Sequence, residues 1–332
     1  MTEPNAAFTL RREADDAARR GDWLRVRALL AGVLDSERDI ETVLLLAESH
    51  LRTANATSAR ELLEASLPEL ERTGGAVLRK GLMMLGAAYR AVGDTQLAED
   101  VWKRVVTMAY EAGDQLSLAR ATNNLGIIAN IRGDRRDALA KYQLAIPAYQ
   151  NLGHVAGLAE SFHNMAISYR DERELDQADE CEQRAIEYAL ASANPRFAAA
   201  AKLGRAEVTY RRGDAVLCAS IAGRVAREFD VLGDPVAKAD ATRLLGLTWL
   251  ARGHLALAEE SLHEALGTAN VHHDTLLQAE CHRALAELRT HQRQTDRAEE
   301  HVHRAIALYE QLGARGDADA TRDWANDNLT ST

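Results

Sequence analysis

The sequence predicts an all-α solenoid of antiparallel helix pairs, about eight pairs and one C-terminal capping helix, because a repeat that cannot bury its apolar face alone must stack on its neighbours. Three observations carry this. Residues 81–320 divide into six 40-residue blocks that align without a gap, starting at Gly81, Ala121, Ser161, Ala201, Ala241 and Cys281. The eighteenth place of every block is small: Ala98, Ala138, Ala178, Cys218, Ala258 and Ala298. The twenty-fifth is small or β-branched: Val105, Ala145, Ala185, Val225, Ala265 and Ala305. Small residues at fixed places let two helix backbones approach, and larger neighbours fill the space beside them.

Within a block, apolar residues recur at three- and four-residue steps, as in Leu125, Ile128, Ala129 and then Ala138, Tyr142, Ala145, Tyr149. Gly93-Asp94, Gly133-Asp134 and Gly213-Asp214 divide the two helices; the glycine supplies a left-handed cap and the aspartate caps the second helix. A second break falls at Gly113-Asp114, Gly153-His154, Asn194-Pro195, Asp234-Pro235 and His273-Asp274. Proline after the N-cap suits a first helical turn. The block at Ser161 has Arg173-Glu174 where Gly-Asp is expected, and the block at Cys281 has Arg289 in place of an aromatic, as a solvated end repeat would. Pro147 is expected to kink its helix.

Around the six blocks the organisation is looser. Residues 1–10 read as a loose lead-in and 11–80 as two degenerate helix pairs, the first divided at Gly21-Asp22. After the blocks, 318–332 read as a capping helix and tail, with the helix from about Ala318 to Asn326.

A composition of 46% hydrophobic and 27% charged residues is that of a globular chain with ample core material. The net charge of −10 argues against nucleic acid as a partner, which requires a basic face. No apolar run is long enough to span a bilayer, and the N-terminus lacks a secretory apolar core, so neither membrane nor export is expected and a cytoplasmic location is. Cys181, Cys218 and Cys281 share no metal-ligand spacing, and Cys218, standing in the place of a small core alanine, reads as a buried reduced thiol. The histidines of the last third, among them His282, His291, His301 and His303, show no Glu-flanked pair at four-residue spacing and read as polar helix surface. No nucleophile elbow, P-loop or dinucleotide fingerprint is present. Glu207 and Glu287, at equivalent places two blocks apart, read as solvated charges. A non-enzyme without metal or cofactor is therefore expected.

The Leu-Gly pairs followed by an aromatic and then by two small residues, Leu85-Gly86 with Tyr89, Ala98 and Val105, and Met165-Ala166 with Tyr169, Ala178 and Ala185, resemble the tetratricopeptide repeat. The usual period is about 34, so this is the longer form, similar to kinesin light chains and to the sensor domains of bacterial peptide-responsive regulators. The resemblance implies a right-handed superhelix whose first helices line a concave wall. It places inward Met83, Met84 and Arg90 in the first block, Asn123, Asn124, Ile127 and Asn130 in the second, and His163, Asn164, Ile167 and Arg170 in the third. In the family, asparagines at the places of Asn124 and Asn164 grip the backbone of an extended peptide. An amide supplies the donor and acceptor that a peptide group needs. Arg90 and Arg170 are expected to hold a carboxylate, and Met83 and Met84 to give adaptable apolar contact. The two-lysine clamp of chaperone-binding members is not evident.

The expected partner is thus a protein or peptide. The first reading is a non-catalytic scaffold or adaptor that captures an extended segment or helix in its groove. The alternatives are a peptide-sensing regulator whose superhelix changes pitch on binding, and a structural solenoid that self-associates as a homo-oligomer through its end repeats.

Overall fold

A computed structural model describes residues 6–33 and 38–329. The chain falls into two compact units, 1–121 and 122–332, divided inside one helix. Among the described residues there are seventeen helices and no strand.

The first unit holds α1 (Ala6–Arg19), α2 (Trp23–Ala31), α3 (Ile40–Arg52), α4 (Ala56–Thr73), α5 (Gly75–Ala91), α6 (Thr95–Glu111) and the start of α7 (Gln115–Ile131). The second continues through α8 (Arg135–Asn151), α9 (Val155–Asp171), α10 (Leu175–Ala191), α11 (Pro195–Arg211) and α12 (Ala215–Val231). It ends with α13 (Pro235–Ala251), α14 (Leu255–Val271), α15 (Thr275–His291), α16 (Thr295–Gln311) and α17 (Arg315–Leu329). Within each unit, successive helices pack as antiparallel pairs, and each pair packs on the next. Within each unit the helices thus stack in the manner of a solenoid, as expected, and the described helices make eight sequential pairs and one further helix.

The period of 40 has a simple origin. From α5 to α16 every helix has 17 residues and every break has three, so the chain repeats each 20 residues as an alternation of two helix types. The middle residue of each break has positive φ: Gly93, Gly113, Gly133, Gly153, Arg173, Ala193, Gly213, Gly233, Gly253, His273, Arg293 and Gly313. Arg173, read from sequence as a departure, keeps the same turn without a glycine. The next residue caps the helix after the break: the Asp134, Asp214, Asp234 and Asp274 carboxylates and the Asn194 amide oxygen accept from the N–H three residues on. His154 does the same through Nδ1.

The core is built as the pattern requires. The side chains at the eighteenth and twenty-fifth places of all six blocks are buried. Trp102, Tyr142 and Leu262, at the twenty-second place, lie over Gly86, Gly126 and Gly246, where an added Cβ would stand 2.3, 2.5 and 2.8 Å from them. Tyr110 does not join this core; Ala109 takes the inner position and the Tyr110 ring is exposed. α4 runs through Pro68 and α8 through Pro147. α1 begins at Ala6, inside the segment expected to be a lead-in, because Leu10 packs beside Ala14, Ala17 and Val26. α17 is longer than expected at both ends; Ala318, Thr321 and Leu329 bury one face of it, and Arg283 covers the Trp324 ring at 4.0 Å.

Arg289 is not solvated. It is 6% exposed, and its guanidinium donates to Glu259 of α14 at 2.8 Å and to Gln292 at 2.7 Å, replacing the aromatic by a buried ion pair. His282 is likewise buried rather than on the surface, its Nδ1 2.9 Å from Nδ1 of His301. Burial pushes both imidazoles down to about 4. Cys181, Cys218 and Cys281 are free and buried, and burial lifts their thiols to about 11, 12 and 12.

Candidate functional site

Met83, Met84 and Arg90 belong to the first unit; the other eight candidates belong to the second. In α5, Met83 and Met84 are half-buried against the cluster of Leu44, Leu63, Leu78 and Leu82, so their own core claims much of their apolar surface. Arg90, in the last turn of the helix, is exposed, and its side chain makes no ion pair with another described residue.

In the second unit, the four asparagines of α7 and α9 separate into two kinds. Asn123 is 2% exposed and its amide oxygen accepts from the Ser161 hydroxyl at 2.9 Å. The Asn130 amide oxygen accepts from the Ser168 hydroxyl at 2.7 Å. Both bonds join α7 to α9 across the same 38-residue step and fix the two helices side by side. Asn123 and Asn130, expected to face a ligand, thus serve this joint. Asn124 and Asn164 are half-buried, and neither side chain has a hydrogen-bond partner among the described residues. Ile127 and Ile167, one turn further along each helix, are half-buried too.

His163 is engaged. Its Nδ1 is 2.9 Å from a carboxylate oxygen of Glu182, and its ring meets Phe197 edge-on at 5.4 Å. Burial opposes the charged imidazole, but Glu182 beside it prevails and holds its pKa above the ordinary value. Glu182 is 1% exposed and sits where Trp102, Tyr142 and Leu262 sit in other blocks. Gly204 of α11 leaves the room for its carboxylate, which a Cβ there would overlap. Burial raises the Glu182 pKa, with His163 acting against it.

Arg170 is not free to take a ligand carboxylate. Its guanidinium pairs with Glu207 of α11, and its buried Nε lies 3.8 Å from Asp171 without a hydrogen bond. Glu207 also accepts from Arg243 of α13 at 2.8 Å, and Arg243 reaches Asp240 at 2.7 Å and Glu280 of α15 at 3.3 Å. Arg135, at the start of α8, adds a bridge to Asp171 at 3.1 Å. Charges from five helices therefore form one chain. Burial would raise Glu207, but Arg170 and Arg243 outweigh it and hold the carboxyl at about 2. Glu280 shares a single guanidinium with two other carboxylates; burial, with Asp240 and Glu207 beside it, pushes it up to about 8. Asp317 of α17 is raised by burial and by Asp171.

The sequence reading of Glu207 as a solvated charge fails, since Arg170 and Arg243 both pair with it, whereas Glu287 stays part-exposed on its helix. Glu287 accepts from Arg283 at 2.7 Å. The signal for the larger network was present: Arg170, Glu207, Arg243 and Glu280 alternate in sign at steps of 36 or 37, one repeat less a helical turn. Among the described residues, no group of three His, Cys, Asp or Glu side chains could hold a metal ion, and no helix is long and apolar enough to cross a membrane.

This architecture has known counterparts. The tetratricopeptide repeat family model matches residues 77–151. No curated protein matches the chain. Among solved structures, a Rap protein complexed with competence and sporulation factor superposes with a TM-score of 0.66 at 14% identity, over 97% of each chain. NprR in complex with its cognate peptide NprX gives 0.64 at 12% identity, over 90% of this chain and 87% of the other. The Rap conjugation gene regulator of plasmid pLS20, in complex with the Phr* peptide, gives 0.68 at 16% identity, over 82% and 74%. At these identities the likeness is one of fold. With seventeen helices in sequential pairs among the described residues, the chain has the fold of the Rap and NprR proteins, and residues 77–151 match the tetratricopeptide repeat model.

Proposed function

We propose that the second unit captures an extended peptide segment through Asn124 and Asn164. One observation carries this reading: on a face where Asn123, Asn130, His163 and Arg170 are each engaged by a neighbouring side chain, these two amides stand one repeat apart with nothing among the described residues to bond. A half-buried amide without a partner forfeits hydrogen bonds that a peptide group could restore. Helices in contact lie about 8–10 Å apart, and an extended chain advances about 3.3 Å per residue, so the two amides grip peptide groups roughly three residues apart. Ile127 and Ile167 supply apolar contact beside them. Arg170 acts through the network rather than as a free anion holder.

A non-catalytic adaptor, binding a segment of a larger protein, is the first form of this function. A regulator that senses a free peptide is the second, favoured by the peptide complexes of the Rap and NprR structures. Affinity capture followed by mass spectrometry identifies the partner. Asn124→Ala combined with Asn164→Ala is then expected to keep helicity and melting temperature while weakening capture by roughly thirtyfold, at about 1 kcal/mol for each lost bond. Unchanged affinity would remove the assignment. X-ray scattering with the captured segment separates the two forms, since a sensor compacts on binding and an adaptor does not.

A further inference from the structure

The turn joining α7 to α8 and the first turn of α17 lie far apart in the chain and touch. A Cβ added at Gly316 would stand 3.1 Å from Gly133 Cα and 3.3 Å from Nη2 of Arg135. The other turn glycines of the second unit with positive φ that lie between these ends, Gly153, Gly213, Gly233 and Gly253, have nothing within 4 Å of such an atom. Beside this contact, Ile131 packs on the cluster of Ala279, Ala305, Tyr309, Ala314 and Ala318. The chain of charges closes at the same place, since Asp317 lies within electrostatic reach of both Asp171 at one end and Glu280 at the other. The second unit therefore bends round until its last helix meets its first turn, and the inner polar face surrounds a lumen.

The seam is a weak joint. Two glycine backbones meet there beside the Arg135 side chain, and Ile131 packs on the apolar edge. Asp171, Asp317 and Glu280 bring like charges together there, offset by Arg135, Arg170 and Arg211. A joint with few buried contacts opens at low cost while the packed pairs on either side persist.

We propose that α17 is a gate on the lumen of the second unit, closing against the Gly133 turn and controlling the entry of anything larger than a small molecule. This rests on the reading that the inner face receives a ligand, and the test measures access with no ligand present. Asn164→Cys places a thiol on the inner face, while the three native cysteines are buried. Its reaction with N-ethylmaleimide is compared with that of a bulky polyethylene-glycol maleimide, in the full chain and with Gly316→Leu, which props the seam apart. Spin labels at Arg136 and Asp319 report the seam itself. The bulky reagent is expected to react roughly tenfold faster when the gate is propped, tracking the open population, while N-ethylmaleimide and an outer control thiol at Leu144→Cys are unchanged. If circular dichroism shows Gly316→Leu unfolded, Ile131→Ala takes its place. Equal rates for the bulky reagent with the seam open overturn the proposal, and so does a seam that neither substitution opens. Loss of peptide capture in the asparagine variants leaves this result untouched.

Discussion

Arg173, Ala193, His273 and Arg293 hold the left-handed turn conformation that glycine holds at Gly153, Gly213, Gly233 and Gly253. An L-residue there costs about 1–2 kcal/mol, and replacing it with glycine returns about 0.5–1 kcal/mol of that to the unfolded chain. The net gain is about 0.5–1 kcal/mol for each site. All four side chains lie at the surface and enter no hydrogen bond or ion pair among the described residues, so nothing else is lost. Successive turns are separated by a 17-residue helix, about 25 Å long, so the gains add. The variant with all four glycines is expected to gain roughly 2–4 kcal/mol, which for a body of this size raises the thermal midpoint on the order of 5–10 °C. The assay is a melt monitored by helical circular dichroism, with each single variant beside the combination and Gly233→Ala as the reverse control, expected to lose about 1 kcal/mol. A combined variant that melts at or below the parent temperature refutes the reasoning.

Three further outcomes are expected of the second unit. Glu280 is held protonated in the folded state up to about 8, above its unfolded value, so the stability it lends is complete at acid pH and fades as pH rises toward and past 8; the melting temperature falls across that window, and Glu280→Gln flattens the fall. Glu207, with its folded value near 2, and the His282–His301 pair, with folded values near 4, all lose protons on folding, so stability declines as the medium is acidified from neutrality, and His301→Gln reduces the part of that loss between about pH 6 and 4. Gly204→Ala drives a methyl group into the Glu182 carboxylate and lowers stability by about 1–3 kcal/mol in denaturant titration, whereas Glu182→Leu in the same chain, matching the Leu262 arrangement, recovers most of the loss.

Periodicity made the scaffold legible. A small residue at the eighteenth place is a contact requirement that repeats, so Cys218 could stand in for alanine without obscuring it. Turn geometry was legible where it used glycine and hidden where it did not, as at Arg173, because the backbone conformation persists after the marker residue is gone. The site was less legible. Asn123 and Asn124 are adjacent in sequence and identical in type, yet one is committed to Ser161 and the other is not, a difference set by where two helices meet. Arg170 looked available because its counter-ion lies on another helix, 37 residues away. Polar pairs across the solenoid leave no pattern within one helix; their signal is the near-constant step of 36 to 38 residues between partners.

The meeting of Gly133 with Gly316 has a further consequence for how this protein can change. An open solenoid tolerates extra or missing units, because each one contacts only its neighbours. Here the number of units is counted by whether the ends meet: excising a single 40-residue block, such as 201–240, would move them out of register by about the 8–10 Å that separates packed helices. Length is thereby placed under the same constraint as a core residue, and variation by whole blocks is confined to chains that give up this contact.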